Sequence, residues 1–314
     1  ASRLRAHVAR MAAQGEFDSK WESILEGLVA KSPPGQVSNV AGLCRQLARA
    51  PVPDDLIGRL CAEHNEQHLR VVRLPSPASG SGIVVDVARK GRRNVKTTKY
   101  VDPRSGTEFV VDQESGECTQ ATAGQADAGA ATAFRCELQA ALDAYLRGHF
   151  PDAGGVHAGC SGQAAVSVFE GDSTAGGDGK VELRVVLSCQ RERPQGRWVG
   201  SWISQWRIVF TPGQPDSGAM TGVVELRTHY AEDCNVHARH KEVRKAKIKE
   251  TVDPAKFAQE VRDTLQDMED EHHGAVEDFS ANAGGLKSLR RVLPLTKERF
   301  DWRPLRLKLM RDMR

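Results

Sequence analysis

The first seventy residues carry apolar positions at the spacings of three and four that are typical of amphipathic helices. Proline-containing segments at 32–35 and 51–53 divide this pattern into three parts. The positions expected to face inward are Phe17, Trp21, Ile24, Leu25 and Leu28, then Val40, Leu43 and Leu47, then Leu56, Leu60 and Cys61. Three helices joined by short turns predict a small antiparallel bundle over residues 1–70.

After the bundle the pattern changes to short segments with the period of two that a β-strand has. Strands are predicted at Ile83–Val87 and Phe109–Val111. The stretch Thr119–Ala133 consists almost entirely of Ala, Thr, Gly and Gln. It has no apolar period and is expected to be a flexible insert. Residues 71–133 are therefore predicted to form a small β region with an insert.

Residues 134–253 are predicted to contain one helix followed by an antiparallel sheet. The helix Phe134–Phe150 has its apolar stripe at Leu138, Leu142, Tyr145 and Leu146. In the sheet, one strand alternates at Val181, Leu183, Val185 and Leu187, and the next has Trp202, Trp206, Ile208 and Phe210 on one side. Two further strands are predicted at Val223–Tyr230 and Val236–Ile248.

A long helix is predicted to follow the sheet within residues 254–285. Asp253 is a good N-cap residue and Pro254 a good first helical residue, and the pattern continues to about Phe279. Its apolar stripe is Phe257, Val261, Leu265, Met268, Val276 and Phe279, and its other side is acidic. Such a helix is expected to lie across the sheet. The fold class is therefore α+β, with an extended tail after Gly284-Gly285.

The tail, residues 286–314, changes the picture of a chain whose net charge is only +3. It holds ten basic and three acidic residues, so the rest of the chain is slightly acidic. On a helix, Leu286, Leu289, Val292 and Leu293 share one side, while Lys287, Arg290 and Arg291 share another. Such a tail predicts docking to an anionic partner. From physics alone, an acidic protein surface, an anionic membrane and nucleic acid all remain open.

The chain offers no recognisable catalytic constellation. Its seven cysteines have no disulfide or zinc spacing, which favours a reducing cytoplasm. No apolar run approaches the ~20 residues of a membrane span. His64 and His68 are four apart but lack the glutamate position of a metalloprotease motif, and His237, His240, His272, His273, Glu269 and Asp270 are expected on the surface. No metal or cofactor is predicted.

Several segments, in order along the chain, resemble the alpha subunit of the actin-capping proteins. They are Pro33-Pro34-Gly35, Asp102-Pro103-Arg104, Ala141-Leu142 with Ala144-Tyr145, Gly196-Arg197-Trp198 with Ser201-Trp202 and Trp206-Arg207, Thr228–Val236, and Leu289–Thr296 with Asp301-Trp302. Their Trp, Pro and Arg content makes the resemblance specific, and they cover roughly residues 16–313. The family's Gly within the fifth segment is Cys234 here.

The resemblance implies an N-terminal three-helix stalk, an antiparallel sheet crossed by a long C-terminal helix, and a C-terminal amphipathic tentacle. It implies a heterodimer with a beta subunit that blocks subunit exchange at the barbed end of actin filaments without requiring calcium. Basic tentacle residues bind acidic patches on actin in that family. Carried over, these are Lys287, Arg290, Arg291, Lys297 and Arg299, with Leu289 and Leu293 packing the tentacle.

The resemblance also implies regulators, namely phosphoinositides and peptides that wrap the stalk, and a place in the cytoplasmic cytoskeleton. Two further interpretations stay open: a permanent cap of an actin-related filament, as in dynactin or a cilium, and a homodimer that needs no beta subunit. Nucleic-acid binding is disfavoured because no aromatic stacking platform accompanies the basic tail. An enzyme is equally disfavoured.

Overall fold

The protein divides into two compact units, Ala1–Leu265 and Gln266–Arg314. A computed structural model describes residues 21–33, 35–47, 52–75, 80–90, 98–124, 131–150, 156–157, 160–171, 179–193, 198–231 and 235–281. Helices and antiparallel sheets are both present, so the α+β class predicted from the sequence is confirmed.

The first three described helices share one apolar core. The described part of α1 covers residues 21–30, and α2 (Val37–Leu47) and α3 (Asp54–Gln67) follow. The core consists of Leu25, Val29, Val37, Ala41, Cys44, Ile57, Leu60 and Cys61. Burial raises the pKa of the Cys61 thiol to about 12, so this side chain is an apolar core residue rather than a nucleophile.

The inward faces of α1 and α2 differ from the sequence-based expectation. Ile24 and Leu28 on α1 are 50% and 40% exposed, and Leu43 and Leu47 on α2 are 54% and 60% exposed. On α2 the small side chains of Ala41 and Cys44 face the core instead, and small side chains allow helices to approach closely. The prediction followed the larger aliphatic residues and was wrong for these four.

Two small sheets follow the helices. In the first, β1 (Val71–Leu74) pairs with β2 (Gly80–Ile83). After a 3₁₀ helix at Asp86–Ala88, the second has the order β3-β4-β5-β6, formed by Arg89–Lys90, Lys99–Val101, Glu108–Val111 and Cys118–Thr122. The strand predicted at Ile83–Val87 is wrong beyond Ile83. The Asp86 carboxylate accepts a hydrogen bond from the Val87 N–H (2.8 Å), which favours a turn.

The expected insert at Thr119–Ala133 is also shorter than predicted. Residues Thr119–Thr122 belong to β6, which pairs with β5, and Thr132–Ala133 begin the next helix. Backbone pairing needs no apolar side chain, so the apolar pattern did not reveal this strand. Residues 125–130 of the stretch lie outside the described residues.

The main sheet has six antiparallel strands in sequential order. They are β7 (Val156–His157), β8 (Cys160–Glu170), β9 (Val181–Arg193), β10 (Trp198–Phe210), β11 (Gly218–Ala231) and β12 (Asn235–Ile248). The alternation read from β9 and β10 is confirmed, because Leu183, Leu187, Trp206 and Phe210 are all buried.

Helices cover one face of this sheet. The rings of Phe134 in α4 (Thr132–His149), Phe210 in β10 and Phe257 in α5 (Pro254–Ala281) meet with centroids 4.6–5.3 Å apart. Gln139 of α4 bonds to the backbone of β8 through Val166 O (3.0 Å) and Val168 N (2.8 Å). The opposite face carries Phe169, Val186 and Ile203, which pack with residues of β1, β2, β4 and β5.

The last described helix, α5 (Pro254–Ala281), begins where the sequence predicts. Asp253 caps it by accepting hydrogen bonds from the N–H groups of Ala255 (2.9 Å) and Lys256 (3.4 Å). Within the second unit, Glu269 and His272 are buried, so the expected surface location of these two residues is wrong. They lie three residues apart and therefore share one face of the helix, which the acidic composition of the segment obscured.

Candidate functional site

The seven residues predicted to bind actin belong to the tail. Lys287, Leu289, Arg290, Arg291, Leu293, Lys297 and Arg299 all lie outside the described residues. Their role therefore stays a prediction that rests on the resemblance. The described residues offer two further surfaces suited to assembly, one on the main sheet and one on the N-terminal helices.

The strand β12 forms one edge of the main sheet. It pairs with β11 over fourteen residue pairs, and no described strand lies on its other side. Five basic residues and one acidic residue occur between Asn235 and Ile248. Val243, in the middle of the strand, is exposed. An unpaired edge presents a row of N–H and C=O groups, so β12 is able to pair with a strand of another chain.

The exposed aliphatic residues of α1 and α2 form a second candidate surface. Ile24 and Leu28 are four residues apart, as are Leu43 and Leu47, so each pair occupies one helix face. Half-buried Val40 and Trp21 pack against the core on the same helices. Apolar residues at helical spacing on an outer face are suited to packing against helices of a partner.

His64 and His68 join the N-terminal helices to the main sheet. Their rings stack with centroids 4.0 Å apart. The His64 Nε2–H donates to the Ser32 carbonyl (2.9 Å), and the His68 Nδ1 accepts from Arg227 of β11 (2.8 Å). Burial is the main cause that lowers the pKa of both histidines, that of His68 to about 2, so both rings are neutral. The sequence marked this pair only by its spacing.

Beyond His68, the carboxylate of Glu225 forms hydrogen bonds with two arginine side chains. Glu225 accepts hydrogen bonds from Arg227 and from Arg239, the latter at 2.6 and 3.0 Å. Burial opposes ionisation of Glu225, but these hydrogen bonds outweigh it and lower its pKa below the usual value. Arg227 and Arg239 face each other across β11 and β12. Strand parity predicts this proximity, although no feature of the sequence singles out this pair.

Neither a metal centre nor a membrane span is found in the described parts. No group of three or more His, Cys, Asp or Glu side chains among the described residues is arranged to hold a metal ion. No described helix is both long and apolar enough to cross a membrane.

Comparison with known proteins gives one consistent result. The sequence model of the family described as "F-actin capping protein alpha subunit" matches residues 25–312, which includes the tail. The chain is 24% identical over 291 residues to the F-actin-capping protein subunit alpha of Caenorhabditis elegans, which covers 91% of this chain and 94% of the relative. It is 26% identical over 307 residues to that of Arabidopsis thaliana, covering 95% and 93%.

A solved structure has a similar fold. It is the homodimeric actin capping protein alpha subunit from Plasmodium berghei, with a TM-score of 0.69 and 15% sequence identity. The match covers 83% of this chain and 93% of the other. At this identity the likeness supports the fold and not the oligomeric state.

Proposed function

Because the chain belongs to the F-actin capping protein alpha-subunit family, a family of actin-capping proteins and not of enzymes, we propose that it caps the barbed end of actin filaments as one half of a heterodimer with a beta subunit. The observation that carries this proposal is the family match over residues 25–312, which extends through the basic tail. Capping then follows from occupying the filament end, with no bond made or broken.

The tail supplies the contact with actin in this proposal. Lys287, Arg290, Arg291, Lys297 and Arg299 form charge-assisted hydrogen bonds to acidic patches at the filament end. Leu289 and Leu293 pack the same segment through its apolar side. A short amphipathic helix is marginal alone, so the tail gains stability when it docks.

The described residues support pairing with a second subunit. The basic edge of β12 is suited to a partner strand that carries acidic residues, because like charges opposite each other are unfavourable. The exposed aliphatic residues of α1 and α2 are suited to the stalk helices of the partner. The three N-terminal helices then act as the stalk, and the protein works in the cytoplasmic cytoskeleton without requiring calcium.

Barbed-end elongation from actin filament seeds tests the proposal. The chain is assayed alone, with a beta subunit, and with the beta subunit after truncation at Gly285. Inhibition that requires both the beta subunit and the tail is expected. The triple variant K287E/R290E/R291E should weaken capping at least about a hundredfold, because each charge-assisted contact contributes about 1.5–3 kcal/mol.

A matched control keeps the same change of charge within the tail. The variant R306E/K308E/R311E reverses three basic residues beyond Trp302, outside the segment assigned to actin binding. Its capping should be weakened far less. Equal losses in the two variants would contradict the assignment to Lys287, Arg290 and Arg291. Full inhibition by the chain alone would instead favour the homodimer.

Phosphoinositides and stalk-wrapping peptides are the regulators expected from the family, and both act on the capping-competent heterodimer. A permanent cap in an assembly built on an actin-related filament differs from dynamic capping in its exchange rate. Labelled protein on filament ends should exchange on the time scale of the assay. Absence of both capping and exchange on ordinary actin would support the permanent cap.

A further inference from the structure

A cavity of about 450 Å³ lies between the turn after α1, the end of α3, and strands β10, β11 and β12. This volume falls within the range of small-molecule sites, about 300–1,000 Å³. The cavity walls come from both the N-terminal helices and the main sheet.

The cavity is strongly basic. Among the described residues that line it, Lys31, Arg227, Arg239 and Lys241 are basic and Glu225 alone is acidic. Glu225 is occupied by Arg227 and Arg239, which leaves three positive charges uncompensated among the lining residues. Neither Lys31 nor Lys241 forms a hydrogen bond or ion pair with any other described residue. A cluster of this kind favours an anion.

A buried hydroxyl gives independent support. Ser32 lines the cavity, is only 4% exposed, and its Oγ has no hydrogen-bond partner among the described residues. Its carbonyl is held by His64, so its position is fixed. A buried hydroxyl without a partner is costly, and a bound ligand that accepts its hydrogen bond removes that cost.

The chemistry of the lining limits the class of ligand. The guanidinium groups of Arg227 and Arg239 suit a phosphate or carboxylate oxygen. A phosphate monoester carries about −1.5 to −2 charges at pH 7, so two phosphate groups match the three uncompensated positive charges better than one. Neutral His68 at the back of the cavity adds no charge.

We propose that this cavity binds a soluble small molecule that bears two or more phosphate groups, with Lys31, Arg227, Arg239 and Lys241 as the cationic contacts and Ser32 as a hydroxyl donor. Because the site joins the N-terminal helices to β11 and β12, a bound ligand holds these elements together. The proposal does not depend on actin capping, and its failure leaves the proposed function intact.

Isothermal titration calorimetry with inorganic pyrophosphate tests the proposal. The full chain is used in the oligomeric state in which it is purified. Saturable one-to-one binding is expected. Lys241→Gln should weaken it about tenfold. Lys245→Gln is the matched control, because Lys245 is an exposed lysine on the same strand and sheet face but does not line the cavity. Its affinity should stay within about twofold of the parent.

Ser32→Ala separates a ligand contact from a purely structural role. Without ligand the variant should unfold at the same temperature as the parent or higher, because an unpartnered buried hydroxyl is lost. With pyrophosphate its affinity should fall about fivefold. Equal weakening by Lys241→Gln and Lys245→Gln would overturn the proposal, since it would indicate unspecific surface attraction.

Two other results would also overturn it. In the first, the protein does not bind pyrophosphate but binds anionic vesicles, and Lys241→Gln weakens the vesicle binding. That result would identify the ligand as a lipid headgroup rather than a soluble molecule. The other is tighter binding of an oligo-glutamate peptide that competes with pyrophosphate, which would replace the phosphate by a carboxylate partner.

Discussion

Gly222 of β11 faces Trp206 of β10 across the sheet, and the two residues are directly paired. A Cβ atom at Gly222 would overlap the Trp206 ring and the Gln205 carbonyl. The indole lies against the neighbouring backbone, where its Nε1–H donates to the buried hydroxyl of Ser204. Packing of the Trp-rich strand therefore depends on a residue without a side chain on the adjacent strand.

Substitution of Gly222 by Ala should be destabilising. Overpacking of this kind costs about 1–3 kcal/mol, because the ring cannot move without losing its own contacts. Urea denaturation of the parent and the variant measures this loss. Gly200→Ala on β10 is the control, because its Cβ would meet nothing closer than the Arg227 carbonyl at 3.9 Å. A change in Gly222→Ala no larger than that in Gly200→Ala would contradict this packing.

The stacked histidines make stability depend on pH. The pKa of His68 is lowered by burial to about 2, and that of His64 is lowered by the same cause. Below pH ~6.5 the unfolded chain binds protons that the folded chain does not, so stability falls as pH falls. The loss should approach about 1.4 kcal/mol per pH unit for each histidine.

Denaturation midpoints between pH 7.5 and 5.5 measure this dependence. His68→Gln retains an acceptor for Arg227 but does not titrate, and it should remove about half of the slope contributed by the pair. A parent protein whose stability is flat across this range would show that the two rings bind protons as readily in the folded state as in the unfolded chain, which would contradict their lowered pKa values.

At the scale of elements, substitutions on the outer faces of the N-terminal helices should affect assembly without affecting folding. Leu43 and Leu47 contribute little to the core of the chain, because the inward face of α2 is made by Val37, Ala41 and Cys44. The double variant L43Q/L47Q should therefore leave the thermal stability of the chain alone nearly unchanged. In the proposed heterodimer it should weaken subunit association at least about tenfold, since burying a leucine side chain contributes about 1.5–3 kcal/mol.

The association constant is measured by analytical ultracentrifugation of the variant with the beta subunit. Gln46→Ala, an exposed polar position on the same helix, serves as the control and should have little effect. Strong destabilisation of the chain alone by L43Q/L47Q would contradict the exposed placement of these leucines. Unchanged association would place the partner elsewhere.

In the long strands β9 and β10 the sequence predicted the buried face more reliably than in the helices α1 and α2, for a physical reason. In β9 and β10 the period of two admits only two faces, and Leu183 and Trp206 fix which one is buried. On α2 the buried face is harder to predict, because the exposed Leu43 and the buried Cys44 are only one position apart on the helix. The short strand β6 was missed because its pairing depends on the backbone rather than on apolar side chains.

At the scale of the whole molecule, the candidate sites differ in how much of each could be predicted from the sequence. The basic tail was visible from charge and helical spacing, but its target came only from the family resemblance. The cavity lined by Ser32 and Lys241 was not visible, because those residues are 209 positions apart and meet only through the joining of α1 to the sheet. Such long-range proximity requires the fold itself.

The charge of β12 predicts how the chain behaves without a partner. Two copies that pair edge to edge bring two strands with four net positive charges each against one another. The isolated chain should therefore be monomeric at about 10 mM ionic strength, where the Debye length is about 30 Å. Near 1 M, where it is about 3 Å, self-association should increase. Sedimentation velocity measures both states, and a stable dimer at low ionic strength would favour the homodimer.

The unpaired edge of β12 also has a consequence before the protein binds any filament. During synthesis the chain presents a fourteen-residue edge that is protected mainly by its charge, and such an edge is a template for unwanted pairing. If the chain pairs with a beta subunit as proposed, the unpaired chain would be a substrate for chaperones and proteases until the two subunits associate. Under the proposed heterodimer, the cellular amount of this protein would be set by the supply of its partner rather than by its own rate of synthesis.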